Sequence, residues 1–155
     1  MNRFTKYITI CASIIAFLPF CACGKKEELV DYTEYKQSME AFFTKVEGFD
    51  ETVNNIDADD DKSVENLYSA LDSLELAYKE LSDVDAPPKY DLTEGLADEA
   101  YTYMVQANEY FHKSFSDSSF NEYTLNAAME CYQRVNKRTK MMIDILHDRT
   151  PSDYD

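Results

Sequence analysis

The residues best equipped for chemistry are few, and most of them stand in pairs at helical spacing. Glu109-x-x-His112 and Asp144-x-x-His147 each set a carboxylate three positions before an imidazole. On a helix that spacing offers two ligands to a metal held in a bundle core. Asp57-Ala58-Asp59-Asp60-Asp61 places oxygens at the first, third and fifth positions of a twelve-residue calcium loop. Arg134, Lys137, Arg138 and Lys140 gather positive charge in one short stretch, and 134, 137 and 138 share a helix face. The thiols are Cys11, Cys21 and Cys23 near the N-terminus and Cys131 far from them.

Spacing argues against both metal readings. The two carboxylate-x-x-His pairs fall on consecutive helical patterns joined by a short link, so those helices run antiparallel. His112 then lies beside the start of the last helix and His147 at its far end, about 30 Å away at 1.5 Å per residue. His112 also falls between Tyr110 and Ser114 and is expected to point outward. In the acidic run, Lys62 stands at the sixth loop position, where a calcium loop turns on Gly. Tyr68 stands at the twelfth, where a bidentate Glu closes the cage. The run reads as a solvated acidic turn. The Arg134–Lys140 cluster reads as a partner for acidic neighbouring helices or as a docking patch for an anionic protein. Cys131, beside the core position Tyr132, reads as a packing thiol or as the link of a disulfide-bonded dimer. No Gly-rich phosphate loop, His-Glu-x-x-His motif or Ser/His/acid set occurs. The sequence therefore predicts no enzyme, no cofactor and no metal.

Composition sets the remaining limits. The 155 residues include 30 acidic and 15 basic ones, a formal charge of −15. Such a field repels nucleic acid, which requires a basic footprint. Twelve Tyr and nine Phe demand a buried core, while three Gly and four Pro are too few for a turn-rich all-β domain.

The first residues read as an export signal. Arg3 and Lys6 precede an apolar run from Tyr7 to Phe20, with Pro19 near its end. About 14 residues suit a signal-peptide core and fall short of the roughly 20 that span a membrane. The run continues as Phe20-Cys21-Ala22-Cys23-Gly24-Lys25-Lys26. This resembles the lipobox of bacterial lipoproteins, with Phe20 where Leu is usual. The resemblance implies a diacylglycerol-bearing Cys23, cleavage after Ala22, palmitate among the acyl chains, and anchoring on the extracytoplasmic side of the cell membrane. Cys21 is the poorer acceptor, because Phe20 and Pro19 would precede it. Two acyl chains hold a protein stably, and Lys25 and Lys26 would lie among the headgroups. The part beginning at Cys23 keeps 13 basic and 30 acidic residues, a formal charge of −17. With Cys23 acylated it retains one thiol, Cys131, so no internal disulfide is expected.

Beyond the linker, four amphipathic patterns follow. The first, over 32–56, carries Tyr32, Tyr35, Met39, Phe42, Val46, Phe49, Val53 and Ile56 at alternating spacings of three and four. The second, over 63–82, carries Val64, Leu67, Leu71, Leu74, Tyr78 and Leu81, with Asp61 or Ser63 as N-cap. Pro87-Pro88 ends whatever precedes it. The third, over 92–115, places Leu92, Leu96, Ala100, Tyr103, Ala107 and Tyr110 on one stripe. The fourth, over 122–147, uses Leu125, Ala128, Tyr132, Val135, Thr139, Met142 and Leu146. Capping pairs are expected at Asp31/Glu34, Asp91/Glu94 and Ser119/Glu122. Short links make sequential helices antiparallel. The expected fold is thus all-α, an up-down-up-down four-helix bundle preceded by a signal-peptide helix.

The expected organisation is a signal peptide over 1–22, a lipidated Cys and linker over 23–30, the bundle over 31–148 and a tail over 149–155. From Pro87-Pro88-Lys89-Tyr90 to Asp148-Arg149-Thr150-Pro151 the chain is loosely similar to helical lipoproteins of Gram-positive bacteria, a likeness that implies no activity or site residues. The function expected is that of a non-catalytic interaction module holding an envelope protein. The alternative is a small-ligand or cation-binding lipoprotein, with its site among the core tyrosines or at the Asp57–Asp61 turn.

Overall fold

A computed structural model describes residues 32–54, 61–115 and 121–151. The signal peptide, Cys23, the Asp31 and Ser119 caps, Ile56 and Asp57 to Asp60 lie outside these residues, as does the side chain of Val53. Helix α1 is Thr33–Asn54, α2 Asp61–Ser82, α3 Leu92–Phe115 and α4 Glu122–Leu146. A 3-10 turn at Pro88–Tyr90 leads into α3, and no strand occurs among the described residues. The chain is an all-α four-helix bundle.

Cross-helix partners fix the direction of each helix. On α2 and α3, Tyr68 meets His112 while Glu75 meets Asn108. On α3 and α4, Glu99 meets Arg138 while Gln106 meets Cys131. In both pairs of helices one number rises as the other falls, so each pair is antiparallel. Tyr35 and Thr93, near the starts of α1 and α3, meet at one end of the bundle. The result is the expected up-down-up-down order.

The core follows the seams of α1, α2 and α4. Tyr35, Met39, Phe42, Val46 and Phe49 are buried on α1, joined by Phe43 on the flank. On α2, Leu67, Leu71, Leu74, Tyr78 and Leu81 are buried, joined by Ala77. All seven positions expected on α4 are buried. Ring contacts tie the layers together: Phe42 meets the edge of Tyr78 at 4.9 Å, and Phe49 reaches Tyr132 at 5.8 Å.

Buried tyrosine hydroxyls find partners, as their desolvation demands. The Thr139 hydroxyl donates to the Val135 carbonyl at 3.1 Å, so Tyr78 is the donor in the 2.8 Å bond between them. In the same way Thr93 donates to the Tyr90 carbonyl at 2.6 Å and receives the Tyr35 hydroxyl proton.

Helix α3 departs from expectation. Leu92 is 69 % exposed, and Leu96, Tyr103 and Tyr110 are only partly buried. The buried stripe is instead Thr93, Ala97, Ala100, Met104, Ala107, Phe111 and Ser114. It shares Ala100 and Ala107 with the expected stripe and rotates about them. Small side chains at the centre let α3 and α4 pack more closely than any other pair in the bundle. The bulky tyrosines fit better at the margin, where their hydroxyls reach water.

The helix ends also differ. Asp91 is itself helical, at φ −52° and ψ −33°, because the 3-10 turn runs straight into α3. It therefore does not act as an N-cap. Asn121 caps α4 by accepting from the Thr124 N–H at 3.1 Å. Helix α2 is already helical at Asp61, so Ser63 lies within its first turn. At the end of α4, Arg149 N–H bonds the Asp144 carbonyl at 2.8 Å and Asp148 N–H bonds that of Ile145 at 3.0 Å. Asp148 takes the left-handed φ of 56° that this Schellman closure requires.

The position of the α3 stripe yields a paired test by chemical denaturation. Ala107→Leu is expected to cost about 1–3 kcal/mol by overpacking the α3–α4 contact. Leu92→Ala is expected to stay within about 0.5 kcal/mol. The opposite ranking would restore the expected stripe.

Candidate functional site

Helical spacing sets one polar surface of α2 against one of α3. Tyr68, Asp72 and Glu75 follow at intervals of four and three on α2, and Val105, Asn108, Glu109 and His112 follow similarly on α3. These residues, with Lys113, line an open groove of about 640 Å³ between the two helices.

Asn108 is the centre of this groove. Its residue is only 7 % exposed. Its side-chain Nδ2 donates to Asp72 Oδ1 at 2.9 Å and to Glu75 Oε2 at 2.7 Å. Carboxylates one turn apart on a helix repel each other, and one neutral amide holds both. The amide's own oxygen is buried and has no hydrogen-bond partner among the described residues. An orphaned buried acceptor costs about 1–3 kcal/mol. The two charge-assisted bonds made by its nitrogen offset that cost.

His112 completes the cluster. Its ring stacks on Tyr68 with centroids 4.3 Å apart, and its Nε2 lies 3.1 Å from Asp72 Oδ1. The Asn108 hydrogen bond holds the Asp72 carboxyl below its ordinary range against the opposing effect of burial, with His112 adding to the lowering. Burial pushes the Tyr68 phenol up. At the rim, Glu109 pairs with Lys113 at 2.5 Å, and the Lys113 ammonium lies 5.7 Å from the Tyr110 ring centre.

The residues singled out from sequence are dispersed. Glu109 turns to Lys113 while His112 turns to Asp72, so the first carboxylate-x-x-His pair does not converge. Asp144 is buried against Arg149 at 2.8 Å, and His147 caps α4 at the other end of the bundle from His112. Asp61 opens α2 and Tyr68 sits two turns into it, which leaves no calcium loop across those positions. Among the described residues no cluster of three His, Cys, Asp or Glu is placed to hold a metal.

The cationic cluster lies along the α3–α4 contact. Arg138 pairs with Glu99 at 2.8 Å, and the guanidinium carbons of Arg134 and Arg138 lie 5.4 and 4.9 Å from the Tyr103 ring centre. Lys137 is half-buried and Lys140 exposed. Cys131 is buried, with its thiol 3.8 Å from Gln106 Oε1.

Sequence reasoning missed Asp72, Glu75 and Asn108. Their spacing placed each on a helix flank, but only the relative register of α2 and α3 brings them together.

Two measurements check this chemistry. Asp72 ionises below the ordinary carboxylate value in the folded chain. It therefore adds stability above that value, and the contribution is lost as pH falls through the lowered midpoint. Asn108→Ala should move the Asp72 titration, followed by side-chain carboxyl NMR, up towards the ordinary range. Burial raises the Cys131 thiol pKa, outweighing the lowering by Arg134. Alkylation of Cys131, read by peptide mapping, should be slow in native protein and fast in denatured protein. No protein-family model matches the chain, and no curated protein or solved structure matches it.

Proposed function

We propose that this chain is a lipid-anchored protein of the cell envelope, held on the outer face of the cell membrane through Cys23. Its bundle is a non-catalytic binding module, and the α2–α3 groove is its recognition surface. Residues 1–24 support the location. The recognition reading rests on Asn108, a buried amide that holds two repelling carboxylates at the wall of a groove while its own oxygen lacks a donor among the described residues. A bundle that needed only stability would fill such a seam with apolar side chains.

The other features agree with this reading. No helix among the described residues is long and apolar enough to cross a membrane. Only Gly24 to Val30 separate the anchor from the bundle, a reach of about 24 Å when fully extended. The two histidines lie at opposite ends of the bundle, so an acid–base pair between them is not available.

A second reading keeps the envelope-protein partner. It uses Arg134, Lys137, Arg138 and Lys140 as the dock for an anionic surface. Arg134 is exposed and supports it. Arg138 supports it less, since its side chain is four-fifths covered and paired with Glu99.

The anchor is tested by growing cells that express the full chain with an alkynyl palmitate. The chain should take up the label and the Cys23→Ala variant should not. Labelling that survives in that variant moves the anchor to Cys21, and an unlabelled parent removes the anchor altogether.

A further inference from the structure

We propose that the outer face of the α3–α4 pair docks an acidic amphipathic helix of a partner protein. That assignment rests on the second reading above, in which an envelope protein meets the Arg134–Lys140 run, and it adds an apolar surface and the partner's chemistry. Leu92, Leu96, Glu99, Tyr103, Gln106 and Tyr110 follow at alternating intervals of four and three on α3. Such spacing holds them on one side of the helix. The stripe carries both leucines of α3, yet the core takes the neighbouring one, centred on Ala100, Met104 and Ala107.

On α4, Tyr123, Ala127, Arg134, Arg138, Met141 and Ile145 share a side at helical intervals in the same way. Contacts set the two stripes side by side: Arg138 on Glu99, both guanidiniums on the Tyr103 ring, and Cys131 on Gln106. Of the three large apolar side chains exposed among the described residues, Leu92 at 69 % and Tyr123 at 84 % lie on this face. Leu96, Tyr103, Tyr110, Met141 and Ile145 are half-buried along it. From Leu92 to Tyr110 the face runs about 27 Å, or about five helical turns.

Charge decides the occupant. The whole chain has 30 acidic and 15 basic residues, but these two stripes set Arg134, Lys137 and Arg138 against Glu99 and Glu130 alone. Arg138 is answered by Glu99, while Arg134 and Lys137 meet no carboxylate among the described residues. Arg134 lies instead on the Tyr103 ring, at the exposed surface. An acidic helix brings the missing carboxylates, and its own apolar stripe covers Leu92, Leu96, Tyr103 and Tyr110 in the helix-in-groove manner. Tyrosine and arginine near the middle of a contact carry much of its energy. Here ring and guanidinium are already stacked, which lowers the ordering cost of binding. A second copy of this chain fits worse. The face opposite itself would set cations on cations, and the other faces offer Leu76 as their one exposed large apolar side chain among the described residues.

The test is photocrosslinking on intact cells of the native host, with the captured peptides sequenced. The full chain carries benzoylphenylalanine in turn at position 92 or 106 on the face, 140 on the basic run beside it, and 76 on α2. Positions 92 and 106 should capture one segment of another protein, rich in Asp and Glu, with apolar residues at intervals of three and four. Arg134→Glu/Lys137→Glu should cut that yield about tenfold while the helical circular dichroism stays unchanged. The neutral Arg134→Gln/Lys137→Gln should act in the same direction. Capture of this chain's own peptides at 92 and 106 would make the occupant a second copy and overturn the proposal. A captured segment without acidic excess, or one indifferent to both double variants, would overturn the acidic helix. Capture from position 140 alone would overturn the apolar face and keep the basic dock. No capture above that at position 76 would remove both.

Discussion

The close approach of α3 and α4 is the constraint on which the rest of the bundle depends. Ala97, Ala100 and Ala107 are buried on α3 with nothing beyond a β-carbon, and Ala128 is fully buried on α4. Two helices meeting through small residues exclude large side chains from their common axis. The aromatic volume must then go elsewhere, and it fills the space bounded by α1 and α2. Phe42, Phe43, Phe49 and Tyr78 do this work. Their burial, with that of the aliphatic seams, supplies the apolar area that offsets the entropy of ordering four helices. Tyr78 reaches across the core to Thr139, so the tight half and the aromatic half are joined by a directional bond as well as by packing.

Much of this was legible in the sequence, for a physical reason. Where a helix buries large aliphatic and aromatic residues at alternating spacings of three and four, as α1, α2 and α4 do, periodicity and burial report the same face. On α3 they part company. Leu92, Leu96, Tyr103 and Tyr110 are conspicuous apolar residues, but the buried face is Thr93, Ala97, Ala100, Met104 and Ala107, with Thr93 held there by Tyr35 of α1 and the Tyr90 carbonyl. Hydrophobicity alone ranks Leu92 above Thr93; the packing ranks them the other way. The caps illustrate a different limit. Asp91 has a suitable side chain, but a 3-10 turn has already made its backbone helical, and a cap requires an extended one. The candidate site was the least legible part. Asp72, Glu75 and Asn108 look like ordinary polar flank residues until the register of two antiparallel helices places the amide between the carboxylates. That register is a property of packing and not of either segment.

The two seams beside α3 also differ in charge. Along the α3–α4 seam, Arg134 and Arg138 meet Tyr103 and Glu99, so cations of one helix answer the acids and rings of the other. Along the α2–α3 seam the acids of α2 meet a neutral amide and an imidazole. In a chain carrying twice as many acidic as basic residues, the run from Arg134 to Lys140 lies at one seam, while the other has Lys113 at its rim, paired with Glu109. The other is left with a net negative groove whose geometry is nevertheless fixed, because Asn108 holds both carboxylates at once.

The proposed anchor at Cys23 would give this asymmetry a direction. The start of α1 at Thr33 would then mark the end of the bundle nearer the membrane. Helix α2 starts at the far end and returns. Tyr68, Asp72 and Glu75 lie in its first two-thirds, and Asn108 and His112 lie towards the end of α3, which runs outward again. The groove therefore runs from the middle of the bundle towards the end opposite Thr33. Cleaved before Cys23, the domain would carry a charge of −17 and be repelled by anionic headgroups, and a linker of at most about 24 Å would not let it roam. Under that anchor both effects would favour an upright bundle, with its acidic groove towards the solvent.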